Sequence, residues 1–300
     1  MITRRHFLLS GSLFAGASLV PGAAQLAHWL QLSQGNMQLI RRNVGFFTER
    51  GGTIGWLLDP QGIVVVDTQF PEQAGHLIEH IRQQSQRPFD LLINTHHHGD
   101  HTGGNIAFKD LVGKVVGHTN CLSNHQKQAK ERNAEATQLF ADTTFDKEWS
   151  QRVGDELITA RYFGAGHTNG DIVVHFENAN VAHVGDLMFN RRFPYIDRPG
   201  GANIRSWIQV LKKIRKTYAK DTIFIFGHAA DGFPVTGTHA DLKAFENYLS
   251  RLLQTVQKAM KKGQNKEQVL AITTVPGAPE WKGDGIQRSL TAAWEELGGK

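Results

Sequence analysis

A short histidine-rich segment contains the residue types in this sequence that could do chemistry. His96, His98, Asp100 and His101 fall within six positions, directly after a short apolar stretch. Because side chains two apart in extended chain point the same way, His96 and His98 can converge on one metal ion, and His97 should point elsewhere. Asp100 and His101 follow a glycine bend and can face a second ion. Imidazole and carboxylate together favour zinc, iron or manganese over calcium or magnesium.

Three more potential metal ligands lie in similar places further along the chain. His167 lies in a glycine-rich bend, Asp186 follows the apolar stretch 181–184, and His228 follows the stretch 222–226. Each stands next to a glycine at the end of a predicted strand. Ligands in α/β folds gather at strand ends, so these residues are expected to join the histidine-rich segment in one site.

Strands and helices alternate along the chain around these residues. Apolar runs bounded by turn residues predict strands, and apolar residues at helical spacing predict helices. The predicted strands are 37–47, 53–58, 64–66, 90–95, 114–116, 157–163, 171–176, 181–184 and 222–226, and the predicted helices are 71–84, 204–218, 239–262 and 284–297. The glycine pair 51–52 is expected to form the first hairpin turn. The alternation predicts one α/β domain with helix-covered sheets.

The first 24 residues have the parts of a bacterial export signal. Arg4 and Arg5 precede an apolar stretch, 7–20, which is followed by proline and small residues. The paired arginines are typical of the twin-arginine type, which implies transient contact with the Tat translocase. We expect a periplasmic or secreted mature protein without a stable membrane anchor. Residues 25–300 would form a single domain with a helical C-terminal tail.

Composition argues against several other classes of protein. Cys121 is the only cysteine, so an intrachain disulfide is impossible. The formal net charge is +5, and two of those positive charges lie in the predicted signal. We therefore expect no nucleic-acid partner and a small-molecule substrate instead.

The ordered set of candidate ligands resembles the metallo-β-lactamase superfamily. The residues that carry the resemblance are His96-x-His98-x-Asp100-His101, His167, Asp186 and His228. The resemblance implies a four-layer αββα sandwich in which two mixed sheets pack together with helices outside.

The same resemblance implies how the ligands are shared between two ions. His96, His98 and His167 would hold one metal, and Asp100, His101 and His228 the other. Asp186 would bridge the two. An aspartate at this position departs from the true β-lactamase groups, which carry cysteine or serine near there, and matches the glyoxalase II, lactonase and general-hydrolase branches better.

The expected chemistry is hydrolysis by a binuclear zinc enzyme, with iron or manganese as other possible metals. Two zinc ions lower the pKa of a shared water, and the resulting metal-bound hydroxide would attack a lactam, lactone, ester or thioester carbonyl. Asp100 is the predicted catalytic residue, because a carboxylate can orient the nucleophile and shuttle its proton. Phosphodiester hydrolysis, a mononuclear iron dioxygenase acting on persulfides, and a metal carrier without catalysis are the alternatives. The complete second ligand set argues against the dioxygenase.

Two residues near the ligands have competing interpretations. Asp67, after the predicted strand 64–66, either supports the ligand loop or begins a helix. His118 is interpreted as a structural histidine rather than a ligand.

Aromatic residues are candidates for contact with the substrate. Phe46 and Phe47 lie beside the predicted hairpin turn and either cover the substrate or pack in the core. Phe189, Phe193 and Tyr195 follow Asp186 on a loop, where substrate contacts are usually found.

Overall fold

The first sheet is built largely from segments that are apolar on both faces, as strands covered on both sides must be. The structure is a computed structural model that describes residues 36–299, so the predicted export signal lies outside the described residues. In sheet order the strands are β1 (Met37–Arg41), β2 (Val44–Phe47), β3 (Ile54–Asp59), β4 (Gly62–Val66), β5 (Leu91–Ile93), β6 (Val115–His118) and β7 (Thr143–Phe145). Strands β1 to β4 pair antiparallel and β4 to β7 pair parallel, which makes the sheet mixed.

The second sheet follows in the chain and is mostly antiparallel. Its strands are β8 (Glu148–Val153), β9 (Glu156–Tyr162), β10 (Ile172–Phe176), β11 (Val181–His183), β13 (Ile223–Ile225) and β15 (Thr236–Gly237), in the order β15-β13-β11-β10-β9-β8. Only the β11–β13 pair is parallel among these described strands. β12 (Phe189–Asn190) and β14 (His228–Ala229) form a separate parallel pair beside this sheet.

Helices connect and cover the two sheets. They are α1 (Pro71–Arg82), α2 (Gly99–Thr102), α3 (Thr119–Glu131), α4 (Ile204–Thr217), α5 (His239–Lys261), α6 (Lys266–Leu270) and α7 (Ile286–Glu296), with 3-10 turns at Gly103–Phe108, Glu135–Thr137 and Gly185–Leu187. In the described part of the chain, none of these helices is long and apolar enough to cross a bilayer.

The side chains of β4 show how the layers stack. Val64 and Val66 face a core shared with strands of the second sheet, while Ile63 and Val65 face a core that includes α1. The outer face of the second sheet packs in the same way against α4, α5 and α7, with Trp207 and Phe245 at its centre. This order of helix, sheet, sheet and helix confirms the predicted α/β class and αββα sandwich.

The structure corrects one predicted strand. Residues 37–47 form two strands rather than one, because Arg42 has a φ of 53° and turns the chain. Asn43 Nδ2 holds that turn by donating to Asp59 Oδ2 over 2.7 Å. An arginine followed by asparagine is an inconspicuous turn signal, whereas the glycine pair that was expected to turn the chain connects β2 to β3 one loop later.

Candidate metal centre

All seven predicted metal ligands lie at one edge of the two sheets. The segment 94–98 continues from β5, and α2 begins directly after His98. His167 lies in the loop between β9 and β10, Asp186 in the 3-10 turn after β11, and His228 begins β14. Strand ends from both sheets therefore deliver the side chains that the sequence predicted would meet.

The first ligand set consists of three imidazole nitrogens and one carboxylate oxygen. His98 Nδ1 lies 3.1 Å from His96 Nε2 and 2.8 Å from His167 Nε2. Asp186 Oδ2 lies 3.8 Å from His96 Nε2 and 3.4 Å from His167 Nε2. The four atoms all lie within 4.8 Å of one another, close enough to be ligands of one metal ion.

The second ligand set stands beside the first and shares Asp186 with it. His228 Nε2 lies 3.1 Å from Asp100 Oδ2 and 3.4 Å from His101 Nε2. The other carboxylate oxygen of Asp186, Oδ1, lies 3.1 Å from His101 Nε2 and 3.4 Å from His228 Nε2. Each oxygen of Asp186 therefore faces a different ligand set.

The two sets have the chemistry and spacing of metal sites. Tetrahedral zinc with bonds of about 2.0–2.1 Å places its ligand atoms roughly 3.4 Å apart, which is the scale of the distances in both sets. Asp186 Oδ1 is buried and accepts no well-aligned hydrogen bond in the described chain, although two imidazole nitrogens lie close to it. Such an unsatisfied oxygen is costly unless a cation completes its surroundings. A Cβ at Gly227 would lie 2.0 Å from this oxygen, so only glycine leaves room for it.

Hydrogen bonds on the far side of the imidazoles fix the orientation of the rings. Asp67 Oδ2 accepts from His101 Nδ1 over 2.7 Å and from the Thr95 hydroxyl over 2.7 Å. Thr95 in turn lies 3.1 Å from His96 Nδ1, so Asp67 supports one ligand of each set. The cap of α1 is Phe70, not Asp67, and the structure therefore places Asp67 as a support for the ligand loop.

The remaining rings of the first set are held in a similar way. His167 Nδ1 donates to the Tyr195 carbonyl over 2.8 Å, and His98 Nε2 lies 3.0 Å from Asp197 Oδ2. The loop that carries His167 is itself closed by Asp171, whose carboxylate accepts from the Thr168 backbone and hydroxyl. The nitrogens left free point towards the two metal positions.

Electrostatics differ sharply between the two ligand sets in the metal-free protein. Burial lowers the pKa of His96 well below its ordinary value and that of His167 to about 4. Burial also acts against protonation of His101 and His228, but nearby carboxylates, Asp186 first, outweigh it. They raise the pKa of His101 well above its ordinary value and that of His228 to about 9. The imidazoles of His96 and His167 are therefore neutral at pH 7, whereas those of His101 and His228 hold protons.

A cavity of about 360 Å³ opens directly above the ligands. Phe189, Phe193 and Tyr195 line it, beside the ligands His98, Asp100, Asp186 and His228. Asp100 is the more accessible of the two ligand carboxylates, with a third of its side chain exposed.

The structure does not bring Phe46 and Phe47 to this cavity. Phe47 is fully buried in the core on the α1 side of the first sheet, where its ring packs edge-on against His80. Phe46 packs against the core between the sheets. Of the two alternatives, the structure shows packing in the core and not contact with the substrate cavity, because β2 directs both rings into the sandwich.

The other histidines considered have structural roles. His118 caps α3 by accepting from the Asn120 backbone and stacks on Tyr162. His183 Nε2 donates to the Thr53 carbonyl, and its Nδ1 accepts from the Gly185 backbone amide inside the fold. His97 belongs to neither of the two ligand sets; its Nε2 lies 3.5 Å from Asp197 Oδ2, and together with His98 and Asp197 it forms a third group of possible metal ligands.

Sequence reasoning missed Asp197 and three arginines at the cavity. Asp197 precedes Arg-Pro-Gly-Gly, which reads as an ordinary turn, and its Oδ1 does accept from the Gly200 backbone. Arg132, Arg192 and Arg288 also line the cavity, although they are far apart in the chain. No spacing rule could have joined them, because only the folded arrangement does so.

Comparison with known protein families finds a match that covers most of the chain. The profile of the Metallo-beta-lactamase superfamily matches residues 48–228, which include all seven predicted ligands. Metallo-beta-lactamase IND-1 of Chryseobacterium indologenes is 24% identical over 174 residues, covering 58% of this chain and 70% of the relative. Hydroxyacylglutathione hydrolase of Pelagibacter ubique is 30% identical over 122 residues, covering 40% of this chain and 44% of the relative.

Solved structures share the fold at low sequence identity. A metallo-beta-lactamase from Pontibacter korlensis has a TM-score of 0.57 and 21% identity, covering 71% of this chain and 97% of the other. The sec-alkylsulfatase Pisa1 from Pseudomonas sp. has a TM-score of 0.68 and 13% identity, covering 86% of this chain. This chain covers 49% of the length of that alkylsulfatase chain.

Proposed function

We propose that this chain uses two zinc ions to hydrolyse a carbonyl substrate such as a lactam, lactone, ester or thioester. The chain belongs to the metallo-β-lactamase superfamily and is a metal-dependent hydrolase. The observation that carries the proposal is the placement of Asp186, whose two carboxylate oxygens face two separate ligand sets. A single-metal enzyme would not need the second set.

The residues that would hold the metals are those already described. One ion would be held by His96, His98 and His167, the other by Asp100, His101 and His228, with Asp186 shared. When bound, zinc would lower the pKa of a water molecule and polarise a carbonyl oxygen of the substrate.

Asp100 is the residue best placed to act on the nucleophile. In the metal-free protein, burial would raise the pKa of its carboxyl, but His101 and His228 outweigh burial and hold that pKa well below its ordinary value. The carboxylate therefore stays ionised, accepts a hydrogen bond and faces the cavity. It can orient an attacking water and receive its proton at Oδ1 or Oδ2.

Phe189 and Tyr195 give the site its walls. The Phe189 ring stacks on His228 with centroids 5.4 Å apart, which shields one ligand from water. Tyr195 is 41% exposed and stands at the mouth of the cavity, where a substrate would meet it.

The names of the relatives favour carbonyl hydrolysis over phosphodiester hydrolysis. The names of the two sequence relatives refer to β-lactams and to hydroxyacylglutathione, both of which are carbonyl compounds, whereas the structural neighbour Pisa1 is named as an alkylsulfatase. The test is elemental analysis of the purified protein, followed by assays with nitrocefin, an acyl homoserine lactone, an acyl thioester and bis(p-nitrophenyl) phosphate. We expect about two zinc ions per chain and turnover of a carbonyl substrate. Single-iron occupancy, or turnover of the phosphodiester alone, would overturn the proposal.

We also infer that residues 1–24 direct export through the Tat pathway to the periplasm or beyond. The support is the order of paired arginines, apolar stretch and small residues in the sequence. Arg4→Lys combined with Arg5→Lys should leave the precursor in the cytoplasm, as followed by cell fractionation. Unchanged export of this variant would refute the twin-arginine assignment.

A further inference from the structure

Three arginines line the cavity above the metal ligands. Arg132 ends α3, Arg192 follows β12, and Arg288 lies in the first turn of α7. Arg288 lies outside residues 48–228 and is thus contributed by the C-terminal tail.

Backbone and ring contacts hold these arginines at the rim. Arg192 pairs with Lys282 in an isolated β-bridge, which fastens the segment before α7 to the loop after β12. The guanidinium of Arg288 lies over the ring of Tyr195, 5.7 Å from its centroid. The Arg132 backbone amide donates to the last carbonyls of α3.

The charges of these arginines are not neutralised by ion pairs in the described chain. Arginine ion pairs among residues 36–299 involve Arg41, Arg42, Arg161, Arg191, Arg198 and Arg215, and none of the three at the cavity. Asp284 is at the same rim and offsets one positive charge. Asp197 is engaged by His98 and its own turn. The three arginines therefore form no ion pair among the described residues, and guanidinium groups recognise carboxylate, sulfate or phosphate groups well.

A second cavity of about 300 Å³ adjoins the first. Gly99, Gln128 and Arg132 line both cavities. Much of the remaining wall of the second is carbon, from residues that include Phe70, Pro71, Ile106 and Ala129. An apolar group in this space would lie next to Arg132.

We propose that the substrate is an amphiphilic anion, whose single anionic group binds among Arg132, Arg192 and Arg288 while its hydrocarbon arm occupies the adjoining apolar cavity. This inference rests on the proposed function only in treating the first cavity as the substrate site. It adds the substrate class, which the metal ligands alone do not specify.

Binding of non-hydrolysable sulfonates to the zinc-loaded full chain tests this directly by isothermal titration calorimetry. 1-Octanesulfonate carries both an anionic group and a hydrocarbon arm. Methanesulfonate carries only the anionic group, and 1-octanol carries only the hydrocarbon arm. We expect 1-octanesulfonate to bind at least about tenfold more tightly than either of the others. Equal binding of 1-octanol would overturn the anionic subsite, and equal binding of methanesulfonate would overturn the apolar one.

Substitutions locate the two parts of the subsite. Arg132→Gln and Arg288→Gln should each raise the Kd for 1-octanesulfonate about tenfold, because each removes a charge-assisted hydrogen bond. Lys130→Gln is the matched control, since it removes the same charge from α3 at an exposed position that lines neither cavity. Ile106→Ala should raise the Kd for 1-octanesulfonate about threefold or more and leave the Kd for methanesulfonate unchanged.

The outcomes separate this proposal from the proposed function. If the arginine variants bind 1-octanesulfonate like the wild type, or no worse than Lys130→Gln does, the anionic subsite is refuted. If binding follows the expected pattern but no carbonyl compound is hydrolysed, the subsite stands and the carbonyl chemistry fails.

Discussion

Asp67→Asn isolates the role of a single buried carboxylate in metal binding. The side chain keeps its size, and asparagine tolerates the left-handed backbone, φ 63°, that residue 67 adopts. Asp67 Oδ1 accepts from the Thr95 backbone amide over 2.8 Å, and that donor must keep an acceptor. The amide oxygen of the variant therefore stays there, and the NH₂ group takes the place of Oδ2.

That NH₂ group faces His101 Nδ1, which donates to Asp67 in the native protein. Two donors cannot share a hydrogen bond, so His101 is driven to the tautomer with its proton on Nε2, where the second metal should bind. Loss of such a supporting carboxylate costs about 10- to 100-fold in metal affinity, or about 1.4–2.7 kcal/mol.

Competition with a chromophoric chelator would measure both zinc affinities. We expect the second zinc to weaken by this factor, while the first weakens less because His96 is reached only through Thr95. Asp90→Asn is the matched control, because Asp90 also accepts from a strand amide, that of Ile63, but lies away from the site. Two unchanged zinc affinities in Asp67→Asn would refute the orienting role of Asp67.

Three other predictions concern the ligands themselves. His98→Ala should lose the first zinc and abolish activity, whereas His97→Ala should keep both ions; equal metal loss in the two variants would show that the assigned ligand register is wrong. Asp100→Asn should retain the first metal and lose most turnover in a hydrolysis assay, because an amide does not accept a proton as a carboxylate does, and full turnover would contradict its role. Since the pKa of His228 is about 9 in the metal-free protein, its proton must leave before the second zinc binds. The proton of His101 must leave as well, so the affinity of that zinc should rise from pH 7 towards pH 9 by about tenfold per unit for each proton displaced, and an equal slope for the first zinc would contradict the assignment.

The layered fold could be predicted because its strands carry their own signal. A run such as Val64–Val65–Val66 is apolar on both faces, and such strands must be covered on both sides. The edge strand β8 was missed, since most of its side chains alternate between exposed and half-buried and few are apolar. The split of residues 37–47 was missed because Arg42 gives no local warning of a left-handed turn.

The ligands could be predicted because each one follows a recognisable strand, and strand ends of one sheet edge meet in space. The residues that line the cavity could not be predicted in this way. Phe46 and Phe47 were placed near the turn that overhangs the metals, but the pairing of β2 with β3 directs them into the cores. The rim arginines come from three distant segments, and only the packing of α7 against the rest of the domain brings Arg288 to them.

In the proposed arrangement, the shared carboxylate of Asp186 would make the two metal positions interdependent. Asp186 is buried, and an uncompensated buried charge is expensive. In the metal-free protein the protons of His101 and His228 compensate it, which is why the pKa values of both imidazoles are raised despite burial. A second zinc ion would therefore have to displace the protons of His101 and His228, which already supply positive charge at that position. In the first ligand set burial lowers the pKa values of His96 and His167 instead, so these two imidazoles hold no protons that a metal ion would have to displace at pH 7.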